Sequence, residues 1–209
     1  MYLANSPSWL KWLYPSLIWH KSRKEKTVYL SFDDGPIPVV TPFVLNTLKS
    51  FKAKATFFCI GDNVAKHPDL YQQILDEGHS VGNHTYNHLR GWDTNDKIYV
   101  DNVVQCAKLV KSNLFRPPYG RAKRSQILNL SKGVPPDKSQ YSIIMWDVLS
   151  GDFDRKITPQ KCLQNVMDHT QNGSIIVFHD SLKAFERLEY ALPLVLEQLM
   201  AKGFRFESL

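Results

Sequence analysis

The chain has 209 residues, which is enough for one domain with a hydrophobic core but short for two. Its 43% hydrophobic and 22% charged residues argue against a disordered protein. The net charge of +6 is spread over short clusters, such as 21–24 and 121–124, so we interpret it as a solvated surface and expect no nucleic-acid partner.

Residues 1–25 are predicted to be an N-terminal extension that packs on a main domain of residues 26–209. Its three tryptophans favour a short packed helix, although they also occur in interfacial membrane anchors. It lacks a basic start, and Lys11 and Pro15 interrupt its apolar stretch, so no clear signal peptide is predicted. Because the sequence has no run of about 18 apolar residues, we expect no transmembrane helix. We expect a monomer that is cytoplasmic by default, with the cell envelope as the alternative.

Beyond the extension, short β-branched or aromatic runs alternate with longer segments of helical period. The predicted strands are 27–32, 55–60, 80–82, 142–146, 174–178 and 204–207. The predicted helices begin near Thr41, Asp69, Thr94, Thr158 and Leu188, and the two threonines that precede a proline, Thr41 and Thr158, are predicted to be helix caps. The alternation predicts an α/β fold with a parallel sheet, open or closed into a barrel, whose ligands bind beyond the carboxyl ends of the strands.

The three cysteines, Cys59, Cys106 and Cys162, are far apart and lie in apolar surroundings. An odd count without CxxC spacing argues against both a disulfide framework and a zinc–thiolate site. We therefore expect all three to be small buried hydrophobic residues.

Ionisable residues follow several of the predicted strands. Asp33 and Asp34 come directly after the first strand, where two adjacent carboxylates need a metal or a basic residue beside them, although Asp-Gly-Pro is also typical of a polar turn. His84 and His88 follow the third strand, and their i, i+4 spacing would place both on one face of a helical turn. Two imidazoles and one carboxylate would leave coordination positions open, which is typical of a catalytic metal site.

Three further strand ends carry polar residues. Arg116 and Tyr119 belong to an Arg-Pro-Pro-Tyr-Gly turn that follows another short apolar stretch, Leu114-Phe115. In this turn the arginine is suited to a carboxylate, and the prolines leave few competing donors. Asp152 follows the strand 142–146, and His179 ends the apolar run 174–178. A single histidine after an apolar run is more often a core residue. Five successive strand ends with such residues nevertheless favour one catalytic edge.

These motifs also resemble a known family. Ser31-Phe32-Asp33-Asp34-Gly35, His84-Thr85-Tyr86-Asn87-His88, Arg116-Pro117-Pro118-Tyr119, the segment that ends at Asp152, and Ile176-Val177-Phe178-His179 occur in the order typical of the polysaccharide deacetylases, the NodB-homology domains of carbohydrate esterase family 4. The resemblance extends from about residue 26 to the C-terminus. It implies a distorted (β/α) barrel of six to seven parallel strands with outer helices, in a single domain.

The resemblance also implies a role for each motif residue. It implies that Asp34, His84 and His88 bind a metal, usually zinc, with cobalt or nickel as substitutes. Asp33 resembles the general base and Arg116 its partner. Tyr119 would offer a backbone N–H to the oxyanion, and His179 would be the general acid whose protonation Asp152 sets. The sequence departs from the family pattern at Leu149, where a second Asp is usual, at Phe153, where Trp is usual, and at Ile176, where Leu is usual.

The function implied is the metal-dependent removal of an N-acetyl group from a poly- or oligosaccharide that contains N-acetylglucosamine. The substrate is therefore a carbohydrate. Two alternatives use the same site: an ester hydrolase that acts on O-acetyl groups, as on acetyl-xylan, and a relative that binds carbohydrate without turnover. A general base and a general acid are not needed for binding alone, so their presence favours the enzyme.

Overall fold

The computed structural model describes residues 3–134 and 140–209. Its centre is a parallel sheet. The strands are β1 (Thr27–Asp33), β2 (Ala55–Cys59), β3 (Ser80–Asn83), β4 (Leu114–Phe115), β5 (Ser142–Ile143), β6 (Val148–Leu149), β7 (Ile175–His179) and β8 (Arg205–Phe206). Seven of them lie in the order β5-β4-β3-β2-β1-β7-β6, and β8 pairs with the start of β1. Every pairing is parallel.

The sheet is curled into a distorted barrel with helices around it, so the predicted fold class is confirmed. The core lies where both faces of the central strands are covered. Phe32 of β1 stacks against Phe57 of β2 at 5.1 Å between ring centroids and against Phe178 of β7 at 6.1 Å. Because the sheet is buried on both faces, its central strands β1, β2 and β7 are mostly apolar rather than alternating between apolar and polar residues.

The helices are α1 (Ser8–Leu13), α2 (Val40–Ser50), α3 (Gly61–Lys66), α4 (Pro68–Asp76), α5 (Asp96–Ala107), α6 (Arg124–Lys132), α7 (Pro159–His169) and α8 (Phe185–Ala201). Thr158 caps α7 as predicted, since its side chain accepts a hydrogen bond from the N–H of Lys161. The predicted cap at Thr41 is wrong. Helix α2 begins one residue earlier, its N-cap is Val39, and the Thr41 hydroxyl donates elsewhere. The three cysteines are free and buried, as predicted.

The N-terminal segment lies between β5 and β6, the two end strands of the order. Ile18 forms a parallel bridge with Ile144 next to β5, and Asn5 forms an antiparallel bridge with Val148 in β6. The buried carboxylate of Asp147 accepts hydrogen bonds from Lys11 and, at 2.8 Å, from Arg23. These contacts tie the segment across the gap in the barrel.

Helix α1 itself buries none of its residues. Trp9 and Trp12 are 64% and 82% exposed, whereas Trp19 is buried. None of the helices within the described residues is long and apolar enough to cross a membrane. Residues 1 and 2 of the predicted extension lie outside the described residues, and its boundary at residue 25 and the monomeric state stay predictions.

Candidate active site

The residues singled out from the sequence converge at the carboxyl edge of the sheet. Asp33 ends β1 and its register partner in β7 is His179. Asn83, the last residue of β3, precedes the two-histidine motif, and Phe115, the last residue of β4, precedes Arg116. Carboxyl ends of parallel strands share one edge, so residues far apart in sequence meet there.

Asp33 is held by Arg116. The guanidinium Nη1 donates to Asp33 Oδ1 at 2.7 Å and to the hydroxyl of Ser31 at 2.8 Å. Its other nitrogens donate to the backbone carbonyls of Ile144 and Met145. Burial has the largest single effect on Asp33 and opposes its ionisation, but the Arg116 guanidinium together with His84 and His179 outweighs burial and lowers the pKa of this carboxyl. Asp33 is therefore an ionised carboxylate in a buried position.

Asp34, His84 and His88 form a compact cluster, with one donor atom from each within 4.8 Å of the others. His84 Nε2 lies 3.8 Å and His88 Nε2 3.3 Å from Asp34 Oδ1. This carboxylate oxygen is buried and accepts no hydrogen bond from any described residue. A buried anionic oxygen beside two imidazoles fits a bound cation, which would complete its contacts.

The tautomer of His84 and the neutral state of both histidine rings also suit the binding of a cation. His84 Nδ1 lies 2.8 Å from the carbonyl oxygen of Arg116, which favours the tautomer that leaves Nε2 free as a ligand. Burial lowers the pKa of His84 and lowers that of His88 to about 4. Both rings are thus neutral at neutral pH, as metal ligands must be.

The predicted helical turn at 84–88 is not present, so that expectation is wrong. Thr85 and His88 instead adopt positive φ values of 63° and 55°, and this irregular loop brings the two histidine rings to 5.1 Å. Side chains from neighbouring elements hold the loop. Asn83 accepts from the N–H of Thr85, and Asn102 of α5 accepts from the backbone N–H groups of residues 86 and 87.

His179 lies on the other side of β1 from the two-histidine loop. Its Nδ1 is 2.8 Å from Asp152 Oδ1, and its backbone N–H donates to Asp152 Oδ2 at 2.7 Å. Burial disfavours the imidazolium, but the buried carboxylate of Asp152 outweighs burial and raises the pKa of His179 to about 9. His179 is therefore protonated at neutral pH, with Nε2 available to donate.

Tyr119 lies beside the cluster, with its ring 4.6 Å from that of His88. Its φ of 60° and ψ of 9° turn the backbone between two prolines and a glycine. The Tyr119 N–H has no acceptor within the described residues. It is thus free to donate to a ligand.

Sequence reasoning missed Asp180, which is fully buried behind the first motif. Its Oδ1 accepts from the N–H of Gly35 at 2.9 Å, and its Oδ2 accepts from the hydroxyl of Thr41 at 2.6 Å. A Cβ on Gly35 would come within 1.9 Å of this carboxylate, so only glycine fits. Burial raises the pKa of Asp180 to about 8. The available signal was its position directly after His179.

Two departures from the family pattern line this region. Phe153 packs edge-on against His179 at 5.1 Å between ring centroids. Leu149 is buried in β6 and faces the register position of Val177. An aromatic residue is thus retained next to His179, and an apolar side chain stands where the family has a carboxylate.

The comparisons with known proteins agree with this site. The model of the polysaccharide deacetylase family matches residues 20–132. A peptidoglycan-N-acetylglucosamine deacetylase of Bacillus cereus is 31% identical over 194 residues, which cover 90% of this chain and 88% of that protein. The chain belongs to the polysaccharide deacetylase family. This membership places it among the hydrolases that deacetylate polysaccharides.

Other similar proteins are named for chitooligosaccharide or again for peptidoglycan. A chitooligosaccharide deacetylase of Azorhizobium caulinodans is 29% identical over 208 residues, covering 90% of this chain and 95% of that protein. The crystal structure of the Bc1960 peptidoglycan N-acetylglucosamine deacetylase, in complex with 4-naphthalen-1-yl-N-oxidanyl-benzamide, is 28% identical with a TM-score of 0.84, covering 98% of this chain and 95% of that one. Some curated relatives are longer, and the chain spans 39–66% of them. Similar structures also include one family pseudoenzyme, BA3943, as the wild type and as mutants, one of them with restored enzymatic activity.

Proposed function

We propose that the protein removes the N-acetyl group from an oligo- or polysaccharide that contains N-acetylglucosamine, with a divalent metal held by Asp34, His84 and His88. The products would be acetate and a free amine on the sugar. The observation that carries this proposal is the arrangement of ionisable side chains at one edge of the sheet. Asp33, held by Arg116 at 2.7 Å, and His179, held by Asp152 at 2.8 Å, occupy paired register positions at the ends of β1 and β7. The donor atoms of Asp34, His84 and His88 form a cluster beside them.

Two imidazoles and one carboxylate are donors that suit zinc, with cobalt and nickel as substitutes. When bound, such an ion polarises the acyl carbonyl and lowers the pKa of a water molecule in the site. The ligand set offers three protein donors, which is typical of metal sites that perform catalysis rather than stabilise a fold.

Asp33 is the proposed general base. Arg116 occupies Oδ1, so Oδ2 is left to accept the proton of the attacking water. Because the fixed guanidinium keeps Asp33 ionised, the base is ready at neutral pH. The backbone N–H of Tyr119 is the proposed donor to the oxyanion that develops when water adds to the carbonyl carbon, an interaction that contributes about 3–4 kcal/mol in other acyl-transfer enzymes.

His179 is the proposed general acid. An amine leaves poorly unless it is protonated, and the imidazolium can deliver its Nε2 proton to the nitrogen of the amide. Asp152 acts through His179, because it fixes the ring through Nδ1 and favours the charged form. The two proton transfers are thus assigned to the ends of two neighbouring strands, β1 and β7.

The test is the release of acetate from N-acetylglucosamine oligomers by the purified protein, with and without added zinc or cobalt. The Asp33→Asn variant should lose turnover and keep metal binding, which isothermal titration calorimetry measures independently. Asp101→Asn is the matched control, because Asp101 is exposed on α5 and, among residues 3–134 and 140–209, its one ion pair is with Lys97. Metal-stimulated release that Asp33→Asn abolishes and Asp101→Asn preserves is the expected result.

The same assay separates the alternatives. Faster release from acetyl-xylan than from N-acetylglucosamine oligomers would favour the ester hydrolase. Tight metal binding without acetate from an oligomer, acetyl-xylan or peptidoglycan would contradict the enzyme and favour a carbohydrate-binding relative.

A further inference from the structure

Two exposed aromatic side chains at the His88 edge of the site are each covered by an arginine. The Cζ of Arg90 lies 4.8 Å from the ring centroid of Tyr119, and the Cζ of Arg121 lies 4.9 Å from that of Trp92. Tyr119 and Trp92 are 54% and 56% exposed. We call these four residues the arginine–aromatic patch.

The patch is continuous with the site. Tyr119, one of its members, is also the residue whose ring contacts His88. Two hydrogen bonds hold its two segments together: the Gly91 N–H donates to the carbonyl of Arg121 at 3.1 Å, and the indole N–H of Trp92 donates to the carbonyl of Ala122 at 3.2 Å. A Cβ on Gly91 would come within 2.8 Å of this second segment, so the close approach depends on glycine. The patch is therefore fixed in place.

The positive charge of the patch is only partly compensated. Arg90 lies 3.2 Å from the exposed carboxylate of Asp93. Arg121 has no carboxylate within 4.0 Å in residues 3–134 and 140–209. On the opposite edge, the Lys183 ammonium lies 5.8 Å from the ring of Phe153, the residue that packs on His179. Cations thus stand on both sides of the site.

The chemistry of the patch indicates what it binds. An aromatic ring alone is enough to stack on a neutral sugar. A guanidinium that is held over a ring and lacks an acidic partner adds two parallel N–H donors in the geometry that a carboxylate accepts. Stacking on Trp92 also orders the Arg121 side chain before binding, which reduces the entropy lost when a ligand binds.

We propose that the arginine–aromatic patch is a subsite for a sugar that carries a carboxylate, adjacent to the sugar that is deacetylated. This inference rests on the proposed function and narrows its substrate to an anionic glycan rather than a neutral chitooligosaccharide. Arg121 is the main specificity residue of the patch, because its guanidinium has no acidic partner in the part of the chain that the structure describes.

The test compares two forms of one glycan, in which N-acetylglucosamine alternates with a sugar bearing a lactyl carboxylate. One form has free carboxylates and the other has methyl esters of the same shape. Arg121→Gln should lower kcat/KM on the free acid about tenfold and leave it within about twofold on the ester, as expected for the loss of a charged hydrogen bond. Lys49→Gln, on the exposed face of α2, is the control for a general loss of positive charge.

Equal losses on the acid and the ester, or no loss on either, would overturn the proposal. A loss with Lys49→Gln as large as that with Arg121→Gln would assign the effect to net charge and overturn it as well. The affinity of Asp33→Asn for both glycans is measured by calorimetry with and without Arg121→Gln. This binding readout tests the subsite even where the wild type releases no acetate, so failure of the proposed function and failure of the subsite are distinguishable.

Discussion

Two buried carboxylates of the site each contact a cationic side chain, with opposite consequences. Asp33 contacts Arg116, whose charge is permanent, so the pKa of this carboxylate is lowered and Asp33 is the proposed base. Asp152 contacts His179, which can lose its proton, so here the carboxylate raises the pKa of its partner to about 9. The cation that a carboxylate meets thus decides whether the pair yields a base or an acid.

The first prediction removes the proposed base. Asp33→Asn should lower kcat by about 10²–10⁴-fold, the usual contribution of a general base, because the amide cannot accept the proton of water. Steady-state acetate release measures the loss. Zinc affinity should stay within a few fold of wild type, because Asp33 is not one of the three donors. A variant that loses both zinc affinity and activity would show that Asp33 supports metal binding rather than acting as the base.

The second prediction breaks the same pair from its other side. Arg116→Met should lower the free energy of unfolding by about 3–5 kcal/mol, because it leaves the buried carboxylate of Asp33 without its cation. Denaturant unfolding at pH 7 measures the loss. The double variant Arg116→Met, Asp33→Asn should be more stable than Arg116→Met alone, since it no longer holds the unpaired buried charge of Asp33. A double variant that is no more stable would assign the loss to packing of the guanidinium instead.

The third prediction concerns the proposed acid, His179, and the carboxylate that raises its pKa, Asp152. In the wild type, His179 stays protonated up to about pH 9, so activity should fall as pH rises through that value. Asp152→Asn removes the group that raises this pKa, while burial, which lowers it, persists. The alkaline limb of the kcat profile should therefore move down by at least about two pH units. The profile of Asp168→Asn, an exposed residue of α7, should be unchanged.

Much of the site could be predicted from the sequence, because local patterns mark the ends of strands. The apolar run of β1 and the two aspartates that follow it are adjacent in sequence, as are the run of β7 and His179. Motif order then implied the pairing of Arg116 with Asp33. The geometry of these pairs agrees with that expectation, and the chemical roles stay predictions until they are measured.

What could not be predicted depends on contacts between distant segments. Strand β6 has only two residues, too few for a periodic signal, and it is positioned by β7 and by the N-terminal segment. Thr41 has the local pattern of a helix cap, yet its hydroxyl donates to Asp180, 139 residues away. The loop at 84–88 takes positive φ values that its sequence does not require. Tertiary contacts overrode local preference in each case.

Asp180 extends the comparison to a buried carboxylate that forms no ion pair with any residue the structure describes. Its partners are the Gly35 N–H and the Thr41 hydroxyl, and burial raises its pKa to about 8, so at neutral pH it is mostly a neutral acid. Through Gly35 it acts on the backbone next to Asp34, and we expect it to position this proposed metal ligand.

The smallest predicted effect distinguishes the hydrogen bonds of the Asp180 side chain from its negative charge. Asp180→Ala removes both hydrogen bonds and should weaken zinc binding about tenfold, as the loss of groups behind metal ligands does elsewhere. Asp180→Asn keeps the Gly35 contact and resembles the neutral acid, so zinc affinity should stay within about threefold of wild type. Calorimetry with zinc measures both. If Asp180→Asn were as damaging as Asp180→Ala, the ionised carboxylate would be the form that holds Asp34 in place, and the neutral acid inferred from its burial would be wrong.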